Sequence, residues 1–156
     1  MTRSTASGFT LLELVVVLFI AGLFFALGGP SVRSLSDTME YREAVRELSS
    51  AAKNGRRHAF ATGEPIDLLI NADKNRFALT ANATELGDDE FTQLPDSLDI
   101  TVVYAAEVSP QPGLAAIRFY PSGGSSGGKI TVMRPSGAGV QLTIDWLLGD
   151  LTREAL

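Results

Sequence analysis

From Phe9 to Gly29 the chain runs 21 residues with a single charge, Glu13. As a helix at about 1.5 Å per residue, that run is long enough to span the ~30 Å hydrocarbon core of a bilayer. Gly22, Gly28 and Gly29 are its helix-weakening residues, and Pro30, which lacks an N–H, predicts a kink or local break. An amphipathic helix follows, to about Phe60. Its apolar positions are Val32, Leu35, Met39, Val45, Leu48, Ala52, Gly55 and Ala59, mostly three and four apart. Charges of alternating sign, from Arg33 to Lys53, occupy the other face.

After Gly63 the period shortens. Ile66–Ile70 and Arg76–Thr80 read as a hairpin across the turn-rich Asn71–Asn75. Residues 82–97 read as a loop. Leu98–Tyr104, Ala116–Tyr120, Lys129–Arg134 and Val140–Trp146 read as further strands, with Trp146 buried in the last. The pattern predicts an α+β protein: a long N-terminal helix, half transmembrane and half amphipathic, then an antiparallel β domain of about six strands. The boundaries are 1–8, 9–29, 30–62 and 63–156.

Glu13 is the anomaly in this pattern. A carboxylate deep in an apolar segment costs about 2.5–3.5 kcal/mol on insertion scales, so it calls for a partner. A cut between Gly8 and Phe9 would create an α-amine four residues before it, cationic near neutral pH. Between neighbouring copies, such an acid and amine would neutralise each other and set axial register.

Gly8-Phe9-Thr10-Leu11-Leu12-Glu13 resembles the prepilin peptidase site of type IV pilins and type II secretion pseudopilins. Gly22 and Pro30 fall where many pilins carry a Gly and a Pro bracketing a loosened part of the helix. Phe119-Tyr120-Pro121 with Ser122–Gly128, then Ile144–Gly149, resembles the end of the general secretion pathway protein H and FimT-like pseudopilin family. The resemblance implies a pilin-like fold and a precursor cut between Gly8 and Phe9 and N-methylated at Phe9. It implies a minor pseudopilin of type II secretion, built into a periplasmic pseudopilus through Glu13, with helix flexibility at Gly22 and Pro30. The implied partners are the major and other minor pseudopilins, the prepilin peptidase, the inner-membrane assembly platform and, before assembly, membrane lipid. A FimT-like minor pilin of a type IV pilus is the alternative.

Charge agrees with this picture. The chain carries a net −5, and losing residues 1–8 with Arg3 makes it −6, a poor prior for binding nucleic acid. Arg3 at the short N-terminal end places that end in the cytoplasm and the β domain in the periplasm, with a single inner-membrane span between. An ordinary secretory signal, cut near Ala26-Leu27-Gly28, would need an apolar core of only 7–15 residues and leaves Glu13 unexplained. With no Cys there is neither a disulfide framework nor thiol chemistry.

Candidate chemistry changes little. Gly123-Gly124-Ser125-Ser126-Gly127 matches G-x-S-x-G, but a β-like run follows it, and the chain's single His, His58, lies upstream. Gly123 to Lys129 matches the first part of a P-loop, yet Ile130 follows where a hydroxyl would bind Mg²⁺. The stretch therefore reads as a flexible hairpin loop. Asp73, Asn75, Asp88, Asp89 and Glu90 lack the 12-residue spacing of a Ca²⁺ loop. Lys53, Arg56, Arg57 and His58 read as cations complementing a helix C-terminus. The expectation is a packing subunit with no cofactor and no catalytic residue, not an enzyme; a membrane-anchored enzyme or metal-binding domain is the contrary reading.

Overall fold

The computed structural model describes residues 10–83 and 86–156, and the side chains of all of these except 25–36. Gly8 and Phe9 lie outside the described residues. The chain divides into two compact units, Met1–Ser36 and Asp37–Leu156.

Helix α1 runs from Leu11 to Thr62, 52 residues without interruption. The helical hydrogen-bond pattern continues through Pro30, where a kink or local break is expected. A proline removes one hydrogen bond of the ladder, which by itself need not end a helix. Among the described residues no helix is long and apolar enough to cross a membrane. The span expected over 9–29 includes Phe9 and the side chains from residue 25, which are outside the description.

In the second unit, α1 buries Tyr41, Ala44, Val45, Leu48, Ala51, Ala52 and Ala59. The small residues on this stripe let the helix lie close to the sheet beneath. A Cβ at Gly55 would come within 2.9 Å of Leu79 Cδ1 and of Phe119 Cδ2. Met39, expected on the stripe, is 70% exposed. Tyr41 takes the buried place instead and carries the Arg134 guanidinium over its ring.

Among the described residues eight strands follow: β1 (Ile66–Asn71), β2 (Arg76–Thr80), β3 (Thr92–Gln93), β4 (Asp99–Tyr104), β5 (Ala115–Phe119), β6 (Gly128–Met133), β7 (Gly139–Ile144) and β8 (Leu151–Ala155). They form two four-stranded antiparallel sheets, ordered β3-β2-β1-β5 and β4-β6-β7-β8. The β1–β2 hairpin pairs as expected, with Leu69 opposite Ala78, and β5 flanks β1 on its other side, with Ile66 opposite Phe119. The strand period of two then sorts the side chains of β1. Leu68 and Ile70 enter the main core with Leu48, Phe119, Ile130 and Leu142. Leu69 enters a second cluster with Leu114 and Ala116, flanked by Ala83, Leu86 and Phe91.

Strand β3 falls inside the segment 82–97 expected as a loop, and β8 is a strand beyond the six or so expected; two further expectations fail in this half. The segment 123–128 folds back on the end of β5, with Ser125 bridging Phe119, but it does not join two strands of one sheet, because it carries the chain from β5 in one sheet to β6 in the other. Trp146 is not in a strand, since β7 ends at Ile144 and Trp146 lies in a turn, 68% exposed.

Candidate functional site

Helix α1 starts from Thr10. Its side-chain oxygen accepts the Glu13 N–H at 3.2 Å, and its carbonyl accepts the N–H groups of Glu13 and Leu14. Thr10 thereby satisfies donors that the first turn leaves open. Glu13 is exposed in that first turn, where a carboxylate complements the helix dipole. From Leu11 to Phe24 every large apolar side chain is exposed, from 47% at Val16 and Ile20 to 82% at Leu11. Six consecutive such residues, Val15 to Ile20, cover every side of the helix. A helix apolar all round is one whose surroundings are lipid or other helices. A Cβ at Gly22 would meet nothing within 4 Å, so that face is open to a close neighbour.

The basic cluster is not a C-terminal cap. Because α1 continues to Thr62, its last turn holds no basic residue, and the dipole acts mainly within the last turn. Arg56 reaches across to Asp150 at 2.5 Å, and Arg57 donates to Asn54 Oδ1 at 2.5 Å. His58 is exposed. Among the described residues no three or more His, Cys, Asp or Glu side chains are grouped to hold a metal ion.

Three of the five candidates from the acidic loops, Asn75, Asp88 and Glu90, are committed within the chain. Asn75, in the left-handed region at φ 44°, donates its amide to the carbonyls of Pro95 and Leu98 at 3.2 and 2.8 Å. Asp88 accepts from Arg76 at 2.7 Å, and Arg76 lies over the Phe91 ring at 4.3 Å. The hydrogen bond from Arg76, and then its charge, hold the Asp88 carboxyl below the usual carboxylate range. Glu90 accepts the Gly87 N–H at 3.2 Å.

The G-x-S-x-G segment is likewise structural. Ser125 is buried; its hydroxyl donates to the Asp145 carbonyl at 2.8 Å and accepts the Gly127 N–H at 2.9 Å. Its own N–H donates to the Trp146 carbonyl at 2.9 Å. Strand β6 follows, so no helix N-terminus is offered to an anion. On the other side of this junction, Asp145 Oδ1 accepts from the N–H groups of Leu147 and Leu148 at 2.9 and 2.8 Å. The turn is thus tied at its backbone while Trp146, Leu147 and Leu148 face solvent.

The sequence reading missed one buried ion pair. Asp67 on β1 sits opposite Arg118 on β5 and accepts from its Nε and Nη2 at 2.7 and 2.8 Å. The Asp67 side chain is 4% exposed and that of Arg118 35%. The hydrogen bond to Asp67 raises the Arg118 pKa further above its ordinary value. The available signal was one acid in Ile66–Ile70 and one base in Ala115–Phe119, both otherwise apolar runs.

A family model described as the prokaryotic N-terminal methylation motif matches residues 3–28. Over 149 residues the chain is 27% identical to "Type II secretion system protein H" of Xanthomonas campestris pv. campestris, covering 96% of this chain and 83% of that protein. Its fold is similar to the solved structure of the minor pseudopilin EpsH from the Type 2 Secretion System of Vibrio cholerae. That likeness has a TM-score of 0.54 at 15% identity and covers 75% of this chain and 96% of the other. The expected architecture, a long N-terminal helix followed by antiparallel sheets in an α+β fold, is the one observed.

Proposed function

We propose that this chain is a minor pseudopilin of a type II secretion system. Likeness to protein H along 96% of the chain carries the reading, and the methylation motif over residues 3–28 and the EpsH-like fold support it. In this reading the precursor is cut between Gly8 and Phe9 and methylated at Phe9. The prepilin peptidase does the cutting, and an inner-membrane platform does the assembly.

Before assembly, the segment from Phe9 to Gly29 rests in the inner membrane as a single span, and the second unit faces the periplasm. The exposed apolar surface from Leu11 to Phe24 supports this, because a helix apolar on every side needs lipid or neighbouring helices around it. On assembly, helices of the major and other minor pseudopilins replace the lipid. Glu13 then meets the Phe9 amine of a neighbour and fixes the register, while Gly22 and Pro30 allow the helix to loosen. The work is packing, and no catalytic residue takes part.

The test is deletion of the gene followed by complementation, with secretion of a folded exoprotein as the readout. Crosslinking of the restored protein to the major pseudopilin is measured in parallel. Restored secretion together with the crosslink is the expected result. Unimpaired secretion in the deletion strain, with loss of surface pili, would assign the chain to a type IV pilus instead.

A further inference from the structure

Strand β8 is an edge strand, and its outer side faces a groove along α1. Gly139 and Leu156 exchange both backbone hydrogen bonds, and the Asp145 N–H donates to the Asp150 carbonyl. In an antiparallel pair such bonds recur at every second residue. The alternation directs the N–H and C=O groups of Leu151, Arg153 and Ala155 away from β7. Two adjoining cavities of about 660 and 640 Å³ lie between this edge and the helix, sharing Ser50, Lys53 and Leu151.

The groove is basic on an acidic protein. Arg42, Arg46, Lys53, Arg56, Arg57 and Arg153 line it, six of the chain's 13 Lys and Arg residues. Asp150, the acid in its lining, is already paired with Arg56, and Arg46 holds Glu43 on the helix surface. From Arg42 to Arg57 the helix rises about 22 Å at 1.5 Å per residue, which matches roughly six or seven residues of extended chain.

We infer that this groove receives an extended acidic segment of a neighbouring filament subunit, which adds to β8 as a further antiparallel strand. An open edge is normally blunted against other chains. Here Arg153 repels a second copy of the same edge and attracts an acidic strand. Strand addition draws affinity from the main chain and specificity from alternate side chains. The edge offers N–H donors and carbonyl acceptors in turn. A polypeptide satisfies both, whereas a phosphodiester chain supplies acceptors and leaves the carbonyls of Leu151 and Arg153 unmet. The identity of the occupant rests on the pseudopilin reading, while the basic groove and free edge do not.

The test uses the full chain in detergent micelles and a fluorescent octapeptide of alternating Glu and Val. Anisotropy should show saturable, salt-sensitive binding, and the amide protons of Leu151, Arg153 and Ala155 should gain exchange protection. N-methylation of alternate peptide nitrogens removes strand donors and should weaken binding about tenfold. Lys53→Glu with Arg153→Glu should weaken it by at least about tenfold, with circular dichroism unchanged. Equal binding by the N-methylated peptide, wild-type binding by the double variant, or tighter binding of an oligothymidylate than of the peptide overturns the inference. In cells, a photo-crosslinking residue at Ala155 should capture another filament subunit. Capture of non-filament proteins alone, in a strain whose secretion the chain restores, overturns that occupant while leaving the pseudopilin reading standing.

Discussion

Replacing Gly55 with alanine sets two opposed effects against each other at the closest approach of helix and sheet. In a helix interior, glycine is about 0.8–1 kcal/mol less favourable than alanine, so propensity alone predicts a gain. The added Cβ, however, would lie 2.9 Å from Leu79 Cδ1 and 2.9 Å from Phe119 Cδ2. Leu79 is half-buried and has room to turn. Phe119 is fully buried between α1 and the second sheet's core residues, so the helix has to lift instead. Overpacking of this kind costs about 1–3 kcal/mol. The net expectation is a loss of about 0–2 kcal/mol for Gly55→Ala, and more for Gly55→Val, which adds two further methyl groups on a β-branched stem. Urea unfolding of a fragment starting at Ser31, followed by circular dichroism, measures both. The double change Gly55→Ala with Phe119→Leu should cost less than the sum of its parts, because the smaller side chain yields the space. A fragment made about 1 kcal/mol more stable by Gly55→Ala would refute the reasoning, since propensity would then act unopposed.

Four further outcomes are expected. Intact mass of the membrane-extracted protein should correspond to a chain beginning at Phe9 with one added methyl; a bulky residue in place of Gly8 should leave the precursor uncut, whereas a mature N-terminus at Gly29 would mark an ordinary secretory signal instead. Glu13→Gln and Glu13→Leu should both reach the membrane and be cut but crosslink poorly to the major pseudopilin, Gln nearly as defective as Leu if charge pairing matters; wild-type association by Leu at equal membrane levels would remove that role. Trp146, the chain's single tryptophan, should emit as in water and be readily quenched by acrylamide in the folded protein, and a blue-shifted, protected emission would contradict its place in the turn. Asp88 should titrate below an ordinary aspartate and return to the usual range in Arg76→Gln; with a lowered folded pKa, its small stabilising contribution is complete above the ordinary carboxylate pKa and disappears as pH falls through the lowered value, so a wild-type Asp88 titration in Arg76→Gln would disprove the pairing.

How far the fold was legible follows from what each element asks of its residues. The stripe from Val45 to Ala59 could be read because every third or fourth position there is apolar or small and the faces between are charged. Strands β1, β2 and β4 to β7 could be read because their burial or alternation is strong. Strand β8 could not: Leu151-Thr152-Arg153-Glu154-Ala155 holds one large apolar residue, as an edge strand with one wet face requires. Trp146 was misplaced because Val140, Leu142, Ile144 and Trp146 continue the same alternation. What ends the strand is Asp145 capping the turn and Gly149 at φ 65°, a backbone event that periodicity does not record. The Gly-rich segment after Tyr120 carried turn chemistry but no sign of which sheet came next. At the candidate assembly surface the position of Glu13 was plain, because one charge in an apolar run stands out. The Asp67–Arg118 pair was hidden, since register alone brings 51 residues of separation to one hydrogen bond.

The place of β1 in the middle of its sheet bears on the order in which the molecule can be completed. Ile66 has to wait for Phe119, and Ile70 for Ala115, before its second side is paired. Synthesis delivers α1 first, so under the proposed function the helix of the precursor is tethered in the membrane while the roughly fifty residues from Ile66 to Ala115 are still being threaded across. Until β5 arrives, β1 and β2 form a hairpin with an unpaired edge and a bare apolar face. Non-local pairing of this kind is slow and leaves sticky surface exposed. On the same reading, an arrest of translocation between Thr80 and Ala115 would strand the chain in a form prone to clump at the membrane surface. The second unit is in this sense a clock: it becomes a finished shape only once its last third has emerged.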